Sequence, residues 1–158
     1  MKIYLLNHER EMNKLSNNGR LVSKCLKDQA EVIIWKRKEP NSNLVKLIES
    51  GELVMLFPSQ GEVEENMAEI ESVNDFESFV LLDSTWQEAR KIYNRSAYLK
   101  QTQKISLQID KPSSYRKRRN QIEGGLSTAE CVIELLKQKK DLRLAALLQE
   151  EFDRFNLM

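Results

Sequence analysis

Four short aliphatic runs, at residues 2–6, 32–35, 53–57 and 79–82, recur along the first half of this chain with helical patterns between them. Each run is too short for a stable helix and is rich in Val, Ile, Leu and Phe, which pack well on a pleated surface, so each predicts a buried strand. Residues 12–26 and 43–49 carry the helical period, with Leu44, Leu47 and Ile48 on one face, and a weaker acidic helix is predicted over 62–70. Strands alternating with helices imply a mostly parallel sheet, because parallel neighbours need a crossover and that crossover covers a face. The predicted class is therefore α/β, with helices on both faces of the sheet. At 158 residues and 41% hydrophobic composition, the chain suits a single domain, 1–158, with a real core.

The second half departs from simple alternation. A helix is predicted over 84–93, then a strand over 105–109 in which Ile105, Leu107 and Ile109 alternate with Ser106 and Gln108. Residues 111–125, with Pro112, Gly124 and Gly125, have no period and read as a long loop, the kind of segment that carries function in a compact domain. Two helices close the chain: 127–138, with Ala129, Val132, Ile133 and Leu136 on one stripe, and 141–155, with Ala145, Leu148, Phe152 and Phe155.

Several site chemistries are disfavoured. The five glycines, Gly19, Gly51, Gly61, Gly124 and Gly125, form no phosphate-binding loop of the dinucleotide or Walker type. His8 is the only histidine, so neither a Ser/His/Asp hydrolase elbow nor a zinc spacing can be built around it, and no metal is expected. Cys25 and Cys131 lie in apolar-periodic contexts and are expected as buried free thiols of a reducing compartment. The apolar run at the N-terminus turns charged too soon for a signal peptide, and no run could span a membrane. A soluble, cytoplasmic protein is expected, with no obligate protein partner.

Net charge is +1, but its distribution is uneven. Residues 59–89 contain no Lys or Arg, and 62–77 hold seven acids. Residues 90–119 hold ten basic residues against Asp110 alone, a segment charge of +9. Such asymmetry within one domain makes either a solvated surface or a basic face that polyanions would find.

Three segments carry candidate chemistry. After Leu82 a buried strand ends in Asp83, Ser84, Thr85 and Trp86. Ligands of open α/β sheets bind outside the carboxyl ends of strands, yet Asp or Ser before a helix is also an ordinary cap, and Ser84 with Gln87 has capping-box spacing. Leu126, Ser127, Thr128 and Glu130 read the same two ways: Ser127 and Glu130 match a capping box, and a helix N-terminus also offers N–H groups to an anionic ligand. Tyr115 beside Arg116, Lys117, Arg118 and Arg119 gives phosphate-binding cations next to an aromatic ring that can stack on a base, or a solvated loop.

These blocks resemble the DTW-domain family, named for an Asp-x-Thr-Trp signature, here Asp83-Ser84-Thr85-Trp86 followed by Gln87, Ala89 and Lys91. Tyr115, Arg116 and Arg118 look like the family's Tyr and basic cluster, and Ser127, Thr128 and Glu130 like its Ser-Thr-x-Glu segment. Upstream, His8 and Glu11 look like its His-x-x-Glu, Asn17-Asn18-Gly19 like its Asn-Thr-Gly with Asn18 where Thr is usual, and Leu56-Phe57-Pro58-Ser59 like its Pro-Ser turn. A DTW-type domain without the Cys-rich N-terminal extension of many members is expected.

The resemblance implies transfer of the 3-amino-3-carboxypropyl (acp) group from S-adenosylmethionine to N3 of a tRNA uridine. The implied fold is related to the SPOUT methyltransferases, with a C-terminal trefoil knot holding the cofactor. Asp83 is the candidate catalytic group, as general base or as a group that orients the base or the cofactor, and Phe57, Pro58, Ser59, Leu82, Ser84, Thr85, Trp86, Leu126, Ser127, Thr128 and Glu130 are the expected cofactor-binding residues. His8, Arg20, Arg90, Lys91, Tyr115, Arg116, Lys117, Arg118 and Arg119 are the implied RNA contacts. Alternatives at this stage are an S-adenosylmethionine-dependent RNA methyltransferase, the same transfer to rRNA, and a noncatalytic RNA-binding module.

Overall fold

The computed structural model describes residues 1–8, 19–57, 73–83, 86–106 and 127–157. Its elements follow in the order β1 (Lys2–His8), α1 (Gly19–Leu26), β2 (Ala30–Trp35), α2 (Ser42–Glu49), β3 (Leu53–Phe57), β4 (Ser78–Leu82), α3 (Trp86–Asn94), α4 (Ala97–Lys100), β5 (Gln103–Ser106), α5 (Thr128–Gln138) and α6 (Leu142–Leu157). The five strands form one sheet in the order β2-β1-β4-β3-β5, and every described pairing is parallel. The parallel α/β expectation is thus met.

Period-two alternation along the strands divides the core into two layers. Ile3, Leu5, Val54, Leu56, Phe79, Leu81 and Ile105 pack with Val22, Cys25 and Leu26 of α1 and with the apolar stripes of α5 and α6. Tyr4, Leu6, Ile33, Trp35, Leu53, Met55 and Val80 pack on the opposite face against Leu44 of α2, Ile92 and Tyr93 of α3 and Leu99 of α4. Both cysteines are buried free thiols, as the apolar context predicted.

The strand order creates a crevice. From β1 the chain returns to the sheet at β2 on one side, whereas from β4 it returns at β5 on the other. The helices that follow, α1 and α3, lie on opposite faces. Adjacent parallel strands whose connections diverge in this way leave an opening at their carboxyl ends, the position where open α/β sheets bind ligands.

The end of the sheet at β5 and the turn of helix before it differ from expectation. The last strand begins at Gln103, two residues earlier than predicted, and residues 107–109 of the predicted strand lie outside the described residues. Periodicity missed this start because Lys104, a polar residue, is fully buried there. Its Nζ donates to the carbonyl oxygens of Lys100 and Thr102, both at 3.0 Å, and sits 5.4 Å from the centre of the Tyr93 ring. The short helix α4, which Lys104 closes, also escaped the sequence reading, since one turn carries no period. The predicted acidic helix over 62–70, the loop over 111–125 and the first half of the helix over 12–26 fall outside the described residues.

Candidate functional site

The polar end of β4 is where the sequence reading and the geometry meet. Phe79, Leu81 and then Asp83 point to the α5 side of the sheet, and Ile3, Leu5 and then Asn7 do the same on neighbouring β1. Asp83 donates its backbone N–H to the Leu6 carbonyl at 2.8 Å, so the β1–β4 ladder runs on one residue past the strand and holds the carboxylate beside Asn7. Asn7 Nδ2 donates to Asp83 Oδ2 at 3.3 Å. Thr128, the first residue of α5, donates through Oγ1 to Asp83 Oδ1 at 2.7 Å. Asp83 and Asn7 are each 2% exposed.

A buried carboxylate is costly unless hydrogen-bonded donors offset its lost hydration, and here one side chain donates to each of its oxygens. The position at the start of α5 adds the positive end of a helix dipole. Asn7 faces Asp83 with nitrogen, because an ionised carboxylate only accepts. Its Oδ1 is consequently left buried without a hydrogen-bond partner among the described residues. An unpaired buried acceptor costs about 1–3 kcal/mol, a penalty that a bound donor would relieve.

The start of α5 is held by a complete capping box. Ser127 Oγ accepts from the Glu130 N–H at 3.4 Å, and the Ser127 N–H donates to Glu130 Oε1 at 3.1 Å. The capping reading of Ser127 and Glu130 is therefore correct, and these two side chains build the platform that presents Thr128. Leu82 is partly buried against the opposite layer, with Leu6 and Val80, so it meets the crevice through its backbone.

Four of the nine predicted RNA contacts fall among the described residues. His8 lies on the other face of β1, its ring 5.8 Å from that of Trp35. Arg20 near the start of α1 and Arg90 on α3 are exposed, and Lys91 is exposed but 3.8 Å from Glu88. Trp86 opens α3 and Phe57 ends β3, both at carboxyl ends of strands, and their side chains lie outside the described set. Pro58, Ser59, Ser84, Thr85, Tyr115, Arg116, Lys117, Arg118, Arg119 and Leu126 lie outside the described residues. Among the described residues, no group of three His, Cys, Asp or Glu side chains could hold a metal, and no helix is long and apolar enough to cross a membrane.

Asn7 is the site residue that sequence reasoning missed. A signal was present: an amide ends an otherwise apolar buried run, where an apolar residue would continue the pattern.

A family model described as "DTW domain" matches residues 1–157. The chain is similar to "tRNA-uridine aminocarboxypropyltransferase 2" of Macaca fascicularis, 25% identical over 134 residues that cover 82% of this chain and 44% of that protein. It is also similar to the protein of that name from Drosophila melanogaster, 28% identical over 140 residues covering 85% of this chain and 55% of the other. The chain thus spans about half the length of the curated relatives it matches. No solved structure matches.

Proposed function

The chain belongs to the DTW domain family, and from that footing we propose that it transfers the 3-amino-3-carboxypropyl group of S-adenosylmethionine to N3 of a uridine in tRNA. The bond from Thr128 to Asp83 supports this reading most. It joins the Asp-x-Thr-Trp and Ser-Thr-x-Glu blocks, 45 residues apart, at the crevice between β1 and β4.

The described residues suit S-adenosylmethionine. Asp83 provides an anion for a sulfonium cation, the unpaired Asn7 Oδ1 provides an acceptor for an ammonium, and the start of α5 favours a carboxylate. When bound, S-adenosylmethionine supplies an electrophilic carbon activated by the sulfonium. N3 of uridine carries a proton that must leave for nitrogen to act as nucleophile, and a carboxylate within hydrogen-bond reach serves as general base. Asp83 is assigned that role. The bonds from Asn7 and Thr128 hold its two oxygens in place at the crevice.

Phe57, Pro58, Ser59, Leu82, Ser84, Thr85, Trp86, Leu126, Ser127, Thr128 and Glu130 are assigned to the cofactor side. Tyr115, Arg116, Lys117, Arg118 and Arg119, with His8, Arg20, Arg90 and Lys91, are assigned to the RNA. Kinship with the SPOUT fold, a C-terminal trefoil knot, a single-domain chain and a cytoplasmic location belong to the same proposal.

The test is incubation of purified protein with S-adenosylmethionine and unmodified tRNA, followed by nucleoside mass analysis and identification of the small by-product. Uridine carrying an added aminocarboxypropyl mass, with release of methylthioadenosine, is the expected result. S-adenosylhomocysteine would mean methyl transfer instead. Asp83→Ala is expected to abolish transfer in a protein that still folds; retained activity removes the base assignment.

A further inference from the structure

A second basic element lies on the same edge of the sheet as Asp83, in a part of the sequence remote from residues 90–119. β2 ends at Trp35 and continues into a turn made of Lys36, Arg37 and Lys38, all exposed, closed by the Glu39 N–H donating to the Lys36 carbonyl at 3.3 Å. The position of the turn is set from below. Trp35 is buried, and its Nε1 donates at 2.8 Å to Ser96 Oγ, which in turn donates to the Ile92 carbonyl at 2.6 Å. The end of β2 is thereby tied to α3.

The three cations are not equivalent. Lys36 lies 3.8 Å from Glu39, a weak exposed pair. Arg37 and Lys38 have no ion pair or side-chain hydrogen bond among the described residues. Glu39 is the acid of this turn, set against three cations, while Asp28 and Glu31, which pairs with Lys2 3.8 Å away, lie at the other end of the strand. The carboxyl rim of β2 thus carries a net positive charge, whereas its amino rim is mixed.

We propose that Arg37 and Lys38, assisted by Lys36, form a phosphate-binding rim for the RNA strand that presents its base to the Asp83 crevice. This rests on the functional reading above and adds a contact on the β2 side. β2 is two strands from β4 in the sheet, so the rim lies about 10 Å from the Asp83 strand. A nucleotide placed at Asp83 therefore has neighbouring phosphates within reach of the rim. Arg37, with its planar fork of donors, suits bidentate contact with a phosphate.

The experiment compares tRNA binding by wild type, by Arg37→Ala/Lys38→Ala, and by Lys27→Ala/Lys137→Ala. The last pair carries the same charge change, with Lys27 before β2 and Lys137 in the last turn of α5, both at the end of the sheet away from the crevice. Filter binding is measured across a salt series, and KM for tRNA and for S-adenosylmethionine is measured in the transfer assay. The rim variant is expected to lose about tenfold or more in tRNA affinity, with a log–log salt slope shallower by about 1.5. Its KM for tRNA should rise while that for S-adenosylmethionine holds.

A rim variant that binds tRNA with wild-type affinity and slope overturns the proposal, as does an equal loss in the charge-matched control. A wild type that binds tRNA and transfers no aminocarboxypropyl group, while the rim variant loses binding, keeps the surface and overturns the functional reading. A wild type that binds no tRNA overturns both.

Discussion

Thr128 and Asp83, 45 residues apart in the chain, meet through a 2.7 Å hydrogen bond between the first residue of α5 and the residue that follows β4. The hydroxyl donates and the carboxylate accepts, so the bond is charge-assisted and belongs to the stronger class. Thr128→Val keeps the shape and removes the donor, which should cost about 1.5–3 kcal/mol of stability. Loss of orientation should lower transfer on the order of 10–100-fold. Thr128→Ser restores the donor and should recover most of the activity. Urea titration and single-turnover assays of the two variants check this, and equal defects in both would remove the hydroxyl from the account.

Asn7→Leu separates positioning from stability. The substitution loses the Nδ2 donor to Asp83 but also removes the buried Oδ1 that has no described partner. A lost bond to a charged group and a relieved orphan acceptor are of similar size, each about 1–3 kcal/mol. Thermal stability should therefore change little while transfer falls about tenfold or more. A variant that transfers at the wild-type rate would show that Asn7 is only a packed amide.

Lys104→Met tests the buried amine of β5. Methionine fits the volume, but the carbonyls of Lys100 and Thr102 lose their donor at the end of α4. Leaving those acceptors unpaired should destabilise the fold by about 2 kcal/mol or more, a larger effect than relief of the buried charge. Denaturant midpoints decide between the two effects, because a midpoint at or above wild type means that charge burial dominated.

Cys131 sets a limit at high pH. Burial pushes its thiol far above the ordinary value of 9.0, and Glu130 and Glu134 push in the same direction. The folded state therefore keeps its proton where the unfolded state has lost it, so the unfolded state binds fewer protons and stability falls as pH rises past about 9. Cys131→Val should flatten that decline between pH 8.5 and about 10. In the wild type, thiol reagents at pH 8 should modify Cys131 only on unfolding, since a buried neutral thiol is a poor nucleophile. Fast labelling of the native protein would contradict this burial.

Much of the fold was readable in one dimension. The aliphatic runs ending at Trp35, Phe57 and Leu82 set three strands, and their alternation with helices required a parallel sheet. Ser127 with Glu130 announced the start of α5, because a capping box is a local arrangement within four residues. The Asp83 and Thr128 blocks were both singled out from sequence. What sequence could not supply was their contact, or the part played by Asn7, which lies 76 residues from Asp83. Nothing in local propensity brings such residues together; the strand order does, by placing β1 beside β4 and directing their connections apart. Lys104 makes the same point from the opposite side. Its charge marked it as surface, and only tertiary structure, by setting backbone carbonyls around its amine, made the interior of β5 an acceptable place for it.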